Sequence, residues 1–398
     1  MRARSPDLKV AIVHYWFTGY AGGERVVSAL ADMFPQADLF ALVAKPDALP
    51  ASLRSHRLTT SFLQKIPGST RWYRHLLPLQ PIALEHLDVS GYDLILSSES
   101  GPAKGVISPA RTCHICYCHS PMRYLWDMFH DYRRAMNPVV RTIFSASAHY
   151  MRTWDLASAA RVDYFVANSF NVAARIRKHY RRESMVIHPP ATIPNAAISA
   201  RVDDYYLVVS RLIDYKRVDL AIETCKRLGR RLRVVGDGDQ YKRLRRMAGA
   251  GIEFLGHLED SDLHHCYARC RALLFPGEED FGIVPVEAQS FGRPVIAYGR
   301  GGALETVIGM PEGGFSAEAA TGVFFPEQTP ESMAAAIDRF ETAEASFDPH
   351  FIQSCAQRFD LPRFQSSMSE FIGHCLEEFH RPHGPVALNT PALAGQMQ

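Results

Sequence analysis

Gly277-Glu278-Glu279-Asp280-Phe281-Gly282-Ile283-Val284-Pro285-Val286-Glu287-Ala288 concentrates more potential chemistry than any other stretch of this 398-residue chain. Glu279 and Glu287, with seven residues between them, are carboxylates that can each accept hydrogen bonds from two sugar hydroxyls. The stretch follows an apolar run and opens a helical pattern. Pro285 falls in the first turn, where its missing N–H costs nothing. Gly282 lets the backbone approach a ligand. The amides of Phe281, Gly282 and Ile283 then point out of the helix start, an arrangement suited to a diphosphate. The plainer reading is an acidic helix start that complements the helix dipole.

A second group is Ser210-Arg211-Leu212-Ile213-Asp214-Tyr215-Lys216-Arg217, also after a strand-like run. Arg211 and Lys216 are cations able to neutralise a diphosphate, whereas Arg217 reads as a solvated neighbour. A third is Tyr20-Ala21-Gly22-Gly23-Glu24-Arg25, whose paired glycines allow close backbone approach, although a plain flexible turn explains them nearly as well. It is neither Gly-x-Gly-x-x-Gly nor a P-loop. His119 of Cys118-His119-Ser120-Pro121-Met122-Arg123-Tyr124 falls at a strand end, where a functional and a structural histidine are equally expected. Gly236-Asp237-Gly238-Asp239 contains an Asp-x-Asp pair that reads better as a turn after a strand than as a metal site. Cys113-x-x-Cys116-x-Cys118 lies in a strand-like run with alternating faces. Cys266 and Cys270 lie at helical spacing, so buried free thiols are expected at both places.

The elements that must position these groups alternate along the whole chain. Apolar strands are expected at Lys9–His14, Asp38–Val43, Tyr92–Ser97, Thr112–Cys118 and Asp163–Ala167, with Tyr15 to Gly23 a loop and Arg25–Phe34 a helix. Ile187-His188-Pro189-Pro190-Ala191-Thr192-Ile193-Pro194 breaks the pattern with three prolines and marks a boundary. The alternation then restarts from Tyr205. The expected organisation is two doubly wound α/β units with parallel sheets, residues 1–194 and 195–350, facing a central cleft. A helix near 364–379 is expected to pack back on the first unit, and 381–398 reads as a loose tail. In such sheets ligands sit at the carboxyl ends of the strands, where the groups above fall.

Composition narrows the class. Lys plus Arg is 44 and Asp plus Glu 42, a net charge of +2 that argues against a bulk nucleic-acid binder. Hydrophobic residues are 47% and charged residues 22%, ordinary for a globular chain. No apolar run approaches the roughly 18 residues needed to span a bilayer. The N-terminal residues show no signal-peptide pattern. A cytoplasmic protein is expected, one able to lie peripherally on the inner face of the plasma membrane. Arg71-Trp72-Tyr73-Arg74-His75-Leu76-Leu77-Pro78 and Arg175-Ile176-Arg177-Lys178-His179-Tyr180-Arg181-Arg182 mix basic and aromatic residues as a surface-binding stretch would, or as solvated faces do.

Taken in order, Gly22-Gly23-Glu24, His119-Ser120-Pro121, Arg211 with Lys216, Gly236-Asp237-Gly238, and Glu279 with Glu287 resemble glycosyltransferase family 4 from residue 9 to about 345. Ala11-Ile12-Val13-His14, Gly22-Gly23-Glu24-Arg25, Ser61-Phe62-Leu63-Gln64 and Cys116 through Tyr124 look more narrowly like bacterial mannosyltransferases of O-antigen or exopolysaccharide assembly. The resemblance implies a GT-B fold and a retaining transfer of a hexose, mannose from GDP-mannose above all, to a lipid-linked acceptor. It implies a donor seated on the second unit: Arg211 and Lys216 on the diphosphate, Glu287 on the ribose, and Glu279 with the Phe281, Gly282 and Ile283 amides toward the sugar. Gly22 and Gly23 would approach the phosphate, and His119 the reacting carbon. Gly236 would lie near the donor, and the base would sit by Gly256-His257-Leu258-Glu259-Asp260. A carboxylate at Asp260 matches guanine N1–H and its exocyclic amine, which uracil cannot. No metal or other cofactor is expected, because the cations and helix start supply the positive charge. A UDP-sugar-dependent transferase, an NAD(P)-dependent oxidoreductase on the same fold class and a non-catalytic nucleotide-sugar binder are the alternatives.

Overall fold

The computed structural model describes residues 8–19, 22–134, 136–194, 197–311 and 319–381. Tyr20 and Ala21 of the glycine loop, and the expected tail beyond Arg381, lie outside the described residues.

Among the described residues, thirteen strands form two sheets. The first contains β1 (Val10–Phe17), β2 (Asp38–Ala44), β3 (Leu58–Thr60), β4 (Leu94–Glu99), β5 (Cys113–Cys118), β6 (Tyr164–Ala167) and β7 (Met185–Val186), in the order β3-β2-β1-β4-β5-β6-β7. The second contains β8 (Tyr206–Val209), β9 (Leu232–Val235), β10 (Ile252–Gly256), β11 (Leu273–Phe275), β12 (Val295–Tyr298) and β13 (Gly322–Phe325), in the order β10-β9-β8-β11-β12-β13. Their pairings are parallel, as in β1 with β4 and β8 with β9. Strands buried on both faces need no polar alternation, which is why β4, β5 and β12 are buried at each position. The strand order reverses between β1 and β4 in one sheet and between β8 and β11 in the other. Each reversal opens a crevice at the carboxyl ends of the strands.

The C-terminal helix Leu361–Phe379 crosses back to the first unit. Phe364, Met368, Ile372, Cys375 and Leu376 join the core formed by Val10, Ile12, Leu30 and Ile115. Asp360 caps this helix by accepting from the Arg363 amide. The proline-rich linker is tied down where the Ala191 amide donates to the Phe359 carbonyl, 2.9 Å away.

Two expectations are corrected. Tyr15, Trp16 and Phe17 continue β1 instead of starting a loop, because Trp16 and Phe17 stay in register with Val43 and Ala44 of β2. The basic run at 175–182 is only partly a charged face: Arg177, Lys178 and Arg181 are exposed. It belongs largely to the helix Phe170–Tyr180, in which Ile176 and Tyr180 are buried, while Arg182 donates to the Ala159 and Asp163 carbonyls.

A fully buried ionic cluster knits the first unit together. Lys104 donates to Glu99 at 3.1 Å and to Asp155, and Asp155 also accepts from the Trp126 indole at 2.8 Å and the Tyr180 hydroxyl at 3.0 Å. Burial pushes the Glu99 carboxyl up to about 7, while Lys104 pulls it back. Removing one partner leaves buried charge uncompensated, at a cost of about 3–5 kcal/mol. Lys104→Ala is therefore expected to lower unfolding stability by that amount. A denaturant midpoint equal to the parent protein's would show that the cluster contributes nothing.

Candidate active site

The loops after β8 and β11 flank the reversal point of the second sheet, and they bring Lys216 and Glu279 into direct contact as an ion pair. Both side chains are mostly buried, at 16% and 19% exposure. Burial works against the Lys216 charge, but the Glu279 carboxylate more than offsets it, so the ammonium lies above the ordinary lysine range. The close approach depends on Gly277, where a Cβ would sit 2.9 Å from the Lys216 Cα. Gly302 matters in the same way. A Cβ there would fall 2.3 Å from the Phe281 backbone, and its amide donates to the Glu279 carbonyl at 2.8 Å.

Gly282, at φ 89°, turns the chain into the helix Ile283–Ser290, a backbone angle that only glycine adopts without strain. Phe281 is buried beneath this start and stacks on His188 at 5.3 Å. Arg211 lies exposed just beyond β8, with no side-chain hydrogen bond or ion pair among the described residues. Gly236, at φ 123°, follows β9; a Cβ there would strike the Ser210 carbonyl at 2.0 Å, so glycine is what lets this turn press on the Arg211 loop. Asp237 accepts from the Gly238 amide, which accounts for the first carboxylate of the Asp-x-Asp pair as turn chemistry.

Glu287 lies one turn into its helix. It accepts from the Tyr267 hydroxyl at 2.9 Å and from Arg25 of the first unit at 2.6 Å. Asp260, exposed at the start of the helix Asp260–Arg269, borders the same spot, and Leu258 packs nearby against the core around Phe275 and Phe291.

On the opposite wall, Gly22 and Gly23 begin the helix Gly22–Met33. A Cβ at Gly23 would lie 2.9 Å from the Tyr15 hydroxyl and 3.8 Å from His119 Nε2, whereas one at Gly22 would meet nothing. His119 Nε2 meets the Ser98 hydroxyl at 2.9 Å, and its amide donates to the Glu99 carbonyl at 2.7 Å. Burial, reinforced by nearby His14, pushes the His119 imidazole down to about 3, so it is neutral near pH 7.

The two walls meet through side chains to which the sequence reading gave no role in the site. Arg175 donates to Asp280 and to the Ser120 hydroxyl, and pairs with Asp127 at 3.2 Å. Arg123 lies over the Tyr215 ring, 5.0 Å from its centroid, and 3.9 Å from Asp280. Glu305 of the second unit accepts from the Phe170 and Asn171 amides at 2.8 and 2.9 Å, closing the start of a helix in the first. The His119 turn is thereby set against the Lys216–Glu279 loops. Arg123 and Arg25 stand inside stretches already singled out, but nothing in one sequence shows which opposing residue each will find. Among the described residues no group of three or more His, Cys, Asp or Glu could hold a metal ion, and the eight cysteines are free.

Comparison with known proteins bears on the fold and on the second unit. Residues 195–354 match the family model for glycosyl transferases group 1. Over 335 residues the chain is 24% identical to the mouse alpha-1,3/1,6-mannosyltransferase ALG2, covering 73% of this chain and 76% of that one. Over 114 residues it is 36% identical to the GDP-mannose-dependent monoacylated alpha-(1-6)-phosphatidylinositol monomannoside mannosyltransferase of Corynebacterium glutamicum, covering 25% of this chain and 30% of that one. The structure of Anabaena Alr3699/HepE in complex with UDP superposes with a TM-score of 0.66 at 17% identity, over 92% of this chain and all of that one. The lipopolysaccharide glycosyltransferase WaaG superposes with a TM-score of 0.63 at 18% identity, over 91% and 99%. The two-unit fold is therefore GT-B, and residues 195–354 are similar to group 1 glycosyl transferases.

Because His119 binds a proton near 3 when folded and near 6.5 when unfolded, its burial costs nothing above 6.5 and lowers stability as the pH falls below it. Its ring carbon NMR shifts are expected to stay those of a neutral imidazole from pH 8 to about pH 5. A titration midpoint near 6.5 in the folded protein would contradict the buried, neutral assignment.

Proposed function

We propose that this glycosyltransferase is a retaining hexosyltransferase that moves mannose from GDP-mannose to a lipid-linked oligosaccharide acceptor in bacterial surface-polysaccharide assembly. The Lys216–Glu279 pair beside the Gly282–Ile283 helix start carries the reading. It puts a cation that stays charged, a carboxylate and outward amides at one reversal point. Transfer breaks the bond from sugar C1 to the phosphate oxygen, which keeps the electron pair. The acceptor oxygen bonds to C1 on the same face, and its proton passes to the departing phosphate. Fixed positive charge at Lys216 and Arg211, with the amides of Phe281, Gly282 and Ile283, stabilises the charge developing on the diphosphate. Glu279 orients the sugar hydroxyls, Glu287 takes the ribose, Gly22 and Gly23 approach the phosphates, and Gly236 keeps the Arg211 loop in place. Neutral His119, fixed by Ser98, offers a hydrogen-bonding group without a competing charge. Leu258 and Asp260 bound the base site, Asp260 favouring guanine. Nothing in this scheme needs a divalent ion.

The printed names of the mouse and Corynebacterium relatives support a mannosyl donor, and the latter's names GDP-mannose. A UDP-sugar donor is the second reading, favoured by the HepE complexes with UDP and UDP-glucose. A thermal-shift panel of GDP-mannose, UDP-glucose and NAD, followed by transfer assays with and without chelator, separates these. GDP-mannose is expected to stabilise most, and chelator to leave turnover intact. Lys216→Ala and Glu279→Ala are each expected to lose about 10²–10³-fold in turnover, as when one transition-state donor is removed, while folding normally. Full activity in either variant would remove its assigned role.

Attachment to a membrane surface fits a lipid-linked acceptor. No helix among the described residues is long and apolar enough to cross a membrane. The helix Pro138–Ala160 instead exposes Val139 at 70% and Ile143 at 63%, close after basic Arg133 and Arg134. Exposed apolar and basic side chains together suit an anionic interface. Val139→Asp with Ile143→Asp is expected to weaken flotation with anionic liposomes; undiminished flotation would move the contact elsewhere.

A further inference from the structure

The helix Gly22–Met33 sends Arg25 across the crevice to Glu287, with Nη1 2.6 Å from Oε1. The other carboxylate oxygen is taken by the Tyr267 hydroxyl at 2.9 Å. Arg25 and Glu287 are 27% and 12% exposed, so the pair is shielded from solvent. The open volume between Arg25, Asp260, Tyr267 and Glu287 is about 20 Å³. That is room for about one water molecule, which needs roughly 10–15 Å³ by this measure, and a ribose is several times larger. With Arg25 in this position, the space beside Glu287 is too small for a ribose.

Beyond Arg25 the space widens. A cavity of about 640 Å³, also bordered by Arg25, is lined by Ser28, Asp32 and Asp360. Asp32 lies two turns further along the face of the helix that carries Arg25. The buried Ser28 hydroxyl has no hydrogen-bond partner among the described residues. Asp32, Asp360, one oxygen of which already caps its own helix, and the unpartnered hydroxyl offer a second seat for a guanidinium.

We infer that Arg25 is a positioning residue for the donor: it contends with the nucleotide ribose for Glu287 and swings into the Asp32–Asp360 cavity when the nucleoside seats. The inference rests on the reading of Glu287 as the ribose carboxylate. Donor affinity then includes the loss of the Arg25–Glu287 pair. Donor occupancy is also felt directly by the helix that carries Gly22 and Gly23.

Titration calorimetry of GDP, UDP and inorganic pyrophosphate against the parent protein, Arg25→Ala, Arg25→Gln and Glu287→Gln tests this. Either Arg25 variant is expected to bind the preferred nucleotide about five- to tenfold more tightly, the worth of a charge-assisted pair. Pyrophosphate, which has no ribose, is expected to bind the Arg25 variants and the parent alike. Nucleotide binding that is unchanged or weaker in both Arg25 variants overturns the inference. So does a pyrophosphate shift as large as the nucleotide's, because Arg25 would then act through overall charge. Glu287→Gln separates the two readings. Undiminished nucleotide binding there defeats the ribose assignment itself, whereas weakened binding there with no gain in the Arg25 variants defeats only the role of Arg25.

Discussion

Charge neutrality across a narrow crevice is the constraint on which the rest of the structure depends. A site for a departing diphosphate must hold fixed cations, and a cation removed from water is costly unless it is paired. Lys216 therefore rests on Glu279, Arg25 on Glu287, and Arg175 on Asp280. Two of these three pairs join the first unit to the second. The electrostatics that would serve a phosphate site on the proposed function also hold the two walls together. On the proposed function, binding an anionic donor would be an exchange of partners, in which phosphate and sugar oxygens take over cations and carboxylates that already hold one another.

The backbone makes that exchange possible at short range. Gly277 lets the β11 loop touch the Lys216 backbone, and Gly302 lets the following turn lie against Phe281. On the facing wall, the Lys104–Glu99–Asp155 cluster fixes the end of β4. The adjoining Glu99 carbonyl and Ser98 hydroxyl then hold His119. A buried ionic cluster is a weak source of net stability, but it is costly to rearrange. It fixes the posture of the turn that faces the second unit, and Arg175 and Arg123 carry that posture across the gap.

The basic run at 175–182 shows how a side chain's role changes between sequence and structure. As a sequence it reads as a charged face available to a membrane. In the folded chain Ile176 and Tyr180 are buried, Arg175 reaches across to Asp280, and His179 stacks on Trp126 at 4.8 Å. The helix Pro138–Ala160 exposes the apolar Val139 and Ile143.

What the sequence by itself determined was local. Near-continuous apolar runs, the proline break at 189–194 and Gly282 before Ile283-Val284-Pro285 specify parallel strands, two units and a helix start, because each depends on backbone preference and burial within a few residues. Lys216 and Glu279 were legible as candidates for the same reason, since strand ends converge on one edge of such a sheet. Only the tertiary structure decided which charges meet. Arg25 with Glu287, Arg175 with Asp280, and Lys104 with Asp155 are 262, 105 and 51 residues apart. Coulomb and hydrogen-bond energies act over a few ångströms in space and are indifferent to separation along the chain, so no local pattern encodes such pairs.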